Sequence, residues 1–95
     1  MAIEAEVGQE FAITLQANPT TGYRWQLAEP LDDVLELVNS EYKGPETELV
    51  GAGGEEVWTF RGVCQGEAIV TLHYVRPWEH GIAPTETRTF TVIIH

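Results

Sequence analysis

Cysteine and lysine are nearly absent from this sequence of 95 residues, since Cys64 and Lys43 are the only ones. A single cysteine cannot form a disulfide within the chain, and it excludes a cysteine-rich zinc site. No apolar run approaches the ~18–20 residues that a membrane-spanning helix needs. The sequence also lacks the internal repeats and low-complexity tracts that indicate a solenoid or a disordered chain. These absences leave an ordinary globular domain without a membrane segment as the expected class.

Positive charge is scarce, because five Lys and Arg stand against 15 Asp and Glu and give a formal net charge of −10. Lys and Arg supply most of the affinity for phosphates, so we expect neither nucleic acid nor anionic membranes as partners. Solubility explains the acidity most simply, and recognition by a partner is the alternative. Residues 1–6 have no positive start and no apolar stretch of signal-peptide length. We therefore expect a complete chain to be cytoplasmic, and a mature fragment with an added Met1 to be secreted or periplasmic.

The rest of the composition is that of a folded protein. Hydrophobic residues make up 43% of the chain and charged residues 21%, which is typical of globular proteins and not of disordered ones. A chain of this mass buries roughly 64% of its unfolded surface, enough for one core without disulfides or a metal. We expect a single domain over residues 1–95 and a monomer.

Hydrophobic residues recur with a period of two along most of the sequence. Phe11, Ile13 and Leu15 stand at every second position, with the polar Thr14 and Gln16 between and after them, and Trp58 and Phe60 flank Thr59 in the same way. This alternation, rich in β-branched and aromatic residues, predicts half-buried strands. Short strands divided by Gly, Pro and Asn predict an all-β fold, an antiparallel β-sandwich of about seven to eight strands. Further alternating segments begin at Ile3, Tyr23, Ala68 and Phe90.

Residues 31–38 fit two patterns. The apolar residues of this segment have helical spacing, but Leu35 and Leu37 also alternate as in a strand. The segment is short and follows Pro30, so we predict a loop or a single turn that leads into a strand ending near Tyr42.

Three long breaks separate the predicted strands, at residues 18–22, 51–54 and 76–81. Two strands lie between the first and second breaks, and two more lie between the second and third. An even number of antiparallel strands returns the chain to the end that it left, so all three loops are expected at one tip of the sandwich. Loops on a rigid scaffold are frequent binding sites.

The first of these loops has the composition of a stiff turn. Pro19 fixes its backbone φ, Gly22 permits a positive φ, and the Asn18 side chain can bond the backbone two residues on. The result would be a protrusion with the small hydroxyls of Thr20 and Thr21 at its tip. An ordinary turn is the alternative interpretation.

The other two loops offer different surfaces. Residues 51–54 have almost no side chains, so another protein's backbone could approach closely, although a flexible hairpin is the simpler interpretation. Trp78 follows Pro77 in a loop and is hard to bury in so small a core. It therefore either serves a partner, as interface tryptophans do, or folds back over the sandwich edge.

Catalytic chemistry finds little support in the sequence. Cys64 and His73 have the residue types of a nucleophile and its base. However, Cys64 continues the inward alternation that begins at Trp58, which predicts an inert core thiol. The histidines lack metal-ligand spacing. The neighbours Glu55 and Glu56 would point to opposite faces of a strand, unsuited to a paired acid and base. We expect no enzymatic activity, no metal and no cofactor.

Taken together, the loop sequences resemble a known family. Residues 18–23, 51–54 and 76–78 match, in order and spacing, the three signature loops of the chagasin family, and Trp25 and Trp58 extend the likeness over essentially the whole chain. This family comprises protein inhibitors of papain-like cysteine proteases, built on an immunoglobulin-like β-sandwich. The resemblance therefore implies that fold, that activity and such proteases as partners.

The resemblance also implies a role for each loop. Thr20 and Thr21 would enter the protease cleft over the catalytic cysteine without presenting a cleavable bond. Residues 51–54 would lie along the non-primed side through backbone hydrogen bonds, and Trp78 would pack on the aromatic primed side. The protease-binding residues implied in this way are Asn18, Pro19, Thr20, Thr21, Gly22, Tyr23, Gly51, Ala52, Gly53, Gly54, Arg76, Pro77 and Trp78.

The resemblance also implies roles for Tyr23 and Arg76, and two other functions stay open as alternatives. By the same resemblance, Tyr23 would anchor the first loop to the core, and Arg76 would offer the protease a charged contact. One alternative is an immunoglobulin-like adhesion or carbohydrate-binding module from a larger protein. The other is an enzyme that uses Cys64 and His73.

Overall fold

The computed structural model describes residues 2–17, 22–44, 54–79 and 81–95. In these ranges the chain forms seven strands and no helix, so none of the described segments could cross a membrane as a helix. The strands are β1 (Ala2–Ala5), β2 (Glu10–Ala17), β3 (Arg24–Leu27), β4 (Leu35–Lys43), β5 (Gly54–Gly62), β6 (Gly66–Val75) and β7 (Glu86–Ile94).

The strands form two sheets, one in the order β1-β7-β6-β3 and the other in the order β2-β5-β4. The predicted immunoglobulin-like β-sandwich is confirmed, but it is not wholly antiparallel, since β1 runs parallel to β7 with Ala2 beside Thr91. Alternation shows which face of a strand is buried, and it carries no information on the direction of the neighbouring strand. Here the turn at residues 7–9 moves the chain from one sheet to the other, so β1 pairs with the last strand instead of with β2.

The core lies between the sheets and consists of the alternating hydrophobic residues. Phe60 of β5, Leu72 of β6 and Val92 of β7 have no exposed surface, and Trp25 of β3 is 2% exposed. Burying a side chain of this size contributes about 1.5–3 kcal/mol relative to leaving it in water. Phe11, at the start of the β2 alternation, is half-buried and stacks on Phe60 with ring centroids 5.8 Å apart. The predicted inward faces of β2 and β5 are thereby confirmed.

The segment with two patterns forms a turn followed by a strand, as predicted. The backbone N–H of Leu35 donates to the carbonyl of Asp32 over 3.1 Å, and β4 then continues to Lys43. Leu35 is the only buried residue of β4, which lies at one edge of its sheet. A bulge between Leu37 and Asn39 interrupts its pairing with β5, a feature that protects edges from pairing with other chains.

Cys64 contradicts the sequence-based interpretation. It was expected in the core, but its side chain is exposed and its Sγ lies 3.4 Å from the carbonyl oxygen of Asp33. The inward alternation of β5 stops at Gly62, and residues 63–65 form the turn into β6. His73 stands near the other end of β6, roughly 20 Å away at about 3.3 Å per residue, which excludes the proposed nucleophile pair.

Candidate functional site

The strand ends that flank the three loops lie together. In one sheet, Ala17 at the end of β2 pairs with Gly54 at the start of β5, and β4 ends beside them at Lys43. In the other sheet, Arg24 at the start of β3 pairs with Val75 at the end of β6. The prediction that the loops leave from one end of the sandwich is confirmed for these strand ends. The surface called the loop tip below comprises residues 22–24, 42–44 and 76–78, together with Gly54 and Glu56.

The structure describes only part of the protease-binding set that the sequence implies. The residues it places at the loop tip are Gly22, Tyr23, Gly54, Arg76, Pro77 and Trp78. The predictions for Asn18, Pro19, Thr20, Thr21, Gly51, Ala52 and Gly53 lie outside the described residues.

Gly22 joins the first loop to the third. Its φ is +83°, in the left-handed region that favours glycine. The indole ring of Trp78 lies so close to its Cα that a Cβ at position 22 would overlap the ring. Glycine is therefore required at this position for two reasons: the backbone conformation, and the packing of the Trp78 ring.

A stack of aromatic rings fixes the base of the same loop to the core. Tyr23 stacks on Tyr74 with ring centroids 5.3 Å apart. Tyr74 in turn packs against Trp25, with ring centroids 4.9 Å apart. The guanidinium of Arg76 lies 4.5 Å from the centre of the Tyr23 ring, a cation–π geometry. Tyr23 thus has the surroundings of an anchor, and Arg76 holds the third loop against the first.

Gly54 is enclosed by its own chain. A Cβ at this position would overlap the carbonyl oxygen of Lys43 and the phenol ring of Tyr42. The last glycine of the second loop is thus explained by packing against β4. The sequence suggested only that this loop could let another protein's backbone approach.

Glu56 is a residue of the loop tip to which the sequence assigned no role. Its Oε2 accepts a hydrogen bond from the backbone N–H of Trp25 over 3.1 Å, and its Oε1 accepts one from the indole Nε1–H of Trp58 over 3.3 Å. The indole of Trp25 donates to the carbonyl of Gln16 over 3.0 Å. The signal was available, because position 56 extends the inward alternation of Trp58 by one step, where a carboxylate needs internal partners.

Trp78 presents most of its surface to solvent. It is 64% exposed, the highest value among the large hydrophobic side chains of the described ranges. One side of its ring rests on Gly22, and the rest faces outward beside a groove of about 350 Å³ that Tyr42 and Glu56 also line. An exposed tryptophan held in this way is typical of an interface residue.

The described part of the loop tip is suited to recognition. No group of three or more His, Cys, Asp or Glu in the described ranges could hold a metal ion, and Cys64 lies in the turn at the far end of β5. These residues combine a β-sandwich scaffold, two glycines against which aromatic rings pack, and the exposed Trp78. Fold and site together define an immunoglobulin-like recognition domain.

Comparison with known proteins identifies the family. The profile of the chagasin family of peptidase inhibitors, I42, matches residues 4–94. Chagasin of Trypanosoma cruzi is 36% identical over 76 residues, which are 76% of this chain and 69% of chagasin. Amoebiasin-1 of Entamoeba histolytica is 34% identical over 91 residues, 93% of this chain and 82% of that protein.

A solved structure agrees with these sequence matches. The crystal structure of the cysteine protease inhibitor EhICP2 from Entamoeba histolytica superimposes with a TM-score of 0.86 at 26% identity, covering 99% of this chain and 86% of that one. The chain belongs to the chagasin family of peptidase inhibitors. It is therefore an inhibitor and not an enzyme, and none of these relatives supports the alternative of an adhesion or carbohydrate-binding module.

Proposed function

We propose that this chain inhibits papain-like cysteine proteases reversibly, by closing the active-site cleft with the loop tip and with the loop residues 18–21 and 51–53 that adjoin it in sequence. The observation that carries the proposal is the exposed Trp78, which rests on Gly22 beside the groove and is ready to pack against a partner. The match to inhibitors of cysteine proteases supports the kind of target.

Each loop has its own part in this proposal. Thr20 and Thr21 block the cleft over the catalytic thiol, residues 51–54 bind alongside through their backbone, and Trp78 supplies the largest apolar contact. The described bases of the loops are fixed by internal packing, so these bases lose little conformational entropy on binding. Fixed loop bases therefore favour tight binding from an interface of ordinary size, about 800 Å² per partner.

The first test is a titration of a papain-like peptidase with the protein, with a serine peptidase as the control. We expect reversible, competitive inhibition of the first enzyme and none of the second. A peptidase whose catalytic cysteine is replaced by alanine should still bind, because the proposed contact is not covalent. Cleavage within residues 18–23 with loss of inhibition would show that the chain is a substrate, and would contradict the proposal.

The second test compares two exposed hydrophobic residues. Trp78→Ala should weaken binding by ~2–4 kcal/mol, as truncation of a central interface tryptophan does, mostly through faster dissociation. Ile69→Ala is the matched control, because Ile69 is 58% exposed on β6 and lies far from the loop tip. Surface-binding kinetics measures both variants. If Trp78→Ala binds as tightly as Ile69→Ala, the loop tip is not the binding surface.

A further inference from the structure

We propose that Glu56 is a positioning residue for inhibition: its carboxylate holds the base of the first loop against the base of the second. This inference rests on the proposed function, because it assigns Glu56 to the loop tip that binds the peptidase. Glu56 is not among the residues that the family resemblance implies for protease binding.

The chemistry of the site requires a carboxylate. Both partners of Glu56 are N–H donors, the backbone of Trp25 and the indole of Trp58, and each uses a different carboxylate oxygen. A carboxylate offers two acceptor oxygens, whereas the amide of glutamine offers one oxygen and an NH₂ group that only donates. Glutamine has nearly the same size, but it must leave one of the two N–H groups facing another donor.

The position of Glu56 makes these hydrogen bonds consequential for the loops. The strand β3 lies at the edge of its sheet, and the Trp25 N–H donates out of that sheet to Glu56 of the other. Trp25 lies three residues after Gly22, and Glu56 lies two residues after Gly54. The bond therefore joins the two sheets at the point where the chain leaves the first loop and the second.

A loop base held in this way keeps the loop tip in its binding conformation before the peptidase arrives. When only a fraction of the free inhibitor is in that conformation, the apparent dissociation constant rises by the inverse of the fraction. The loss arises in the free inhibitor. It is therefore the same for every peptidase, unlike the loss of a direct contact.

The test compares Glu56→Gln with Glu55→Gln. Glu55 is the matched control, since it is the neighbouring residue on β5, is exposed and lies beside Lys43 of β4. Its side chain points to the face of the strand opposite to that of Glu56, and so lies outside the loop tip. Both variants remove one negative charge at almost the same place. Inhibition constants are measured against two papain-like peptidases, unfolding is followed by denaturant, and amide exchange is measured at Trp25.

We expect Glu56→Gln to raise both inhibition constants by about tenfold, by the same factor for each peptidase. Inhibition is measured under conditions in which the unfolding curve shows that the variant is fully folded. Glu55→Gln should stay within about twofold of the parent, as exposed charges usually do. The Trp25 amide should exchange slowly in the parent and faster in Glu56→Gln.

Several outcomes would overturn the inference. Equal inhibition by Glu56→Gln and Glu55→Gln would show that the carboxylate does not position the loops, and a loss that differs between the peptidases would indicate direct contact. If Glu56→Gln does not fold, amide exchange in the parent protein is the test. A Trp25 amide that exchanges without protection in the parent would contradict the proposed hydrogen bond to Glu56. If the parent inhibits neither peptidase, the proposed function fails, and the exchange data still report on the hydrogen bond.

Discussion

Gly22→Ala tests whether the packing of Trp78 on a bare backbone creates the binding surface. The new methyl group would be placed where the indole ring now lies, so the ring must move or the loop must shift. We expect the variant to fold, to be less stable than the parent and to lose affinity for the peptidase, because Trp78 leaves its position.

The structure offers a control for the backbone part of this effect. Gly8 has a φ of +85°, against +83° for Gly22, and a Cβ there would have no neighbour within 4 Å. Gly8→Ala should therefore cost only the left-handed backbone strain of about 1–2 kcal/mol. Gly22→Ala adds the cost of overpacking, typically ~1–3 kcal/mol, for a total of about 2–5 kcal/mol.

Denaturant unfolding measures the two stabilities, and inhibition of a papain-like peptidase measures the affinities. Gly8→Ala, at the far end of the sandwich, should inhibit like the parent, whereas Gly22→Ala should be weaker by at least about tenfold, a fraction of what an interface tryptophan contributes. In the double variant with Trp78→Ala, the cost of Gly22→Ala should fall to that of Gly8→Ala. The reasoning is refuted if Gly22→Ala and Gly8→Ala have the same stability and affinity.

Three further predictions follow from the same structure. Gly54→Ala should destabilise the protein by ~1–3 kcal/mol through overlap with the Lys43 carbonyl and the Tyr42 ring, measured by denaturant unfolding; a neutral result would show that β4 and β5 are not closely packed at Gly54. Cys64 is exposed, so a thiol reagent should label the native protein at the same rate as the unfolded one to within about tenfold, and complete protection would restore the core assignment. Thr21→Ala should cost only ~1 kcal/mol of binding energy, whereas Thr21→Trp should obstruct insertion; a Thr21→Trp variant that inhibits like the parent would rule out the blocking role of this loop.

The sequence by itself determined the fold class and predicted which loops leave from one end of the sandwich. Alternation around Trp58 and Phe60 identified the buried faces, because a strand with one face in the core must place apolar residues at every second position. Counting strands placed the loops at one end, since each antiparallel strand reverses the direction of the chain. The order of the loop sequences pointed to the family.

Only the tertiary structure decided which side chains meet across that end. The sequence shows that glycine stands at positions 22 and 54, but not that the rings of Trp78 and Tyr42 lie against these residues. It also placed Cys64 in the core, because a periodic pattern does not show where a strand ends. These facts depend on contacts between residues distant in sequence. Periodicity describes one strand at a time, whereas the hydrogen bonds of Glu56 exist only after two sheets have packed together.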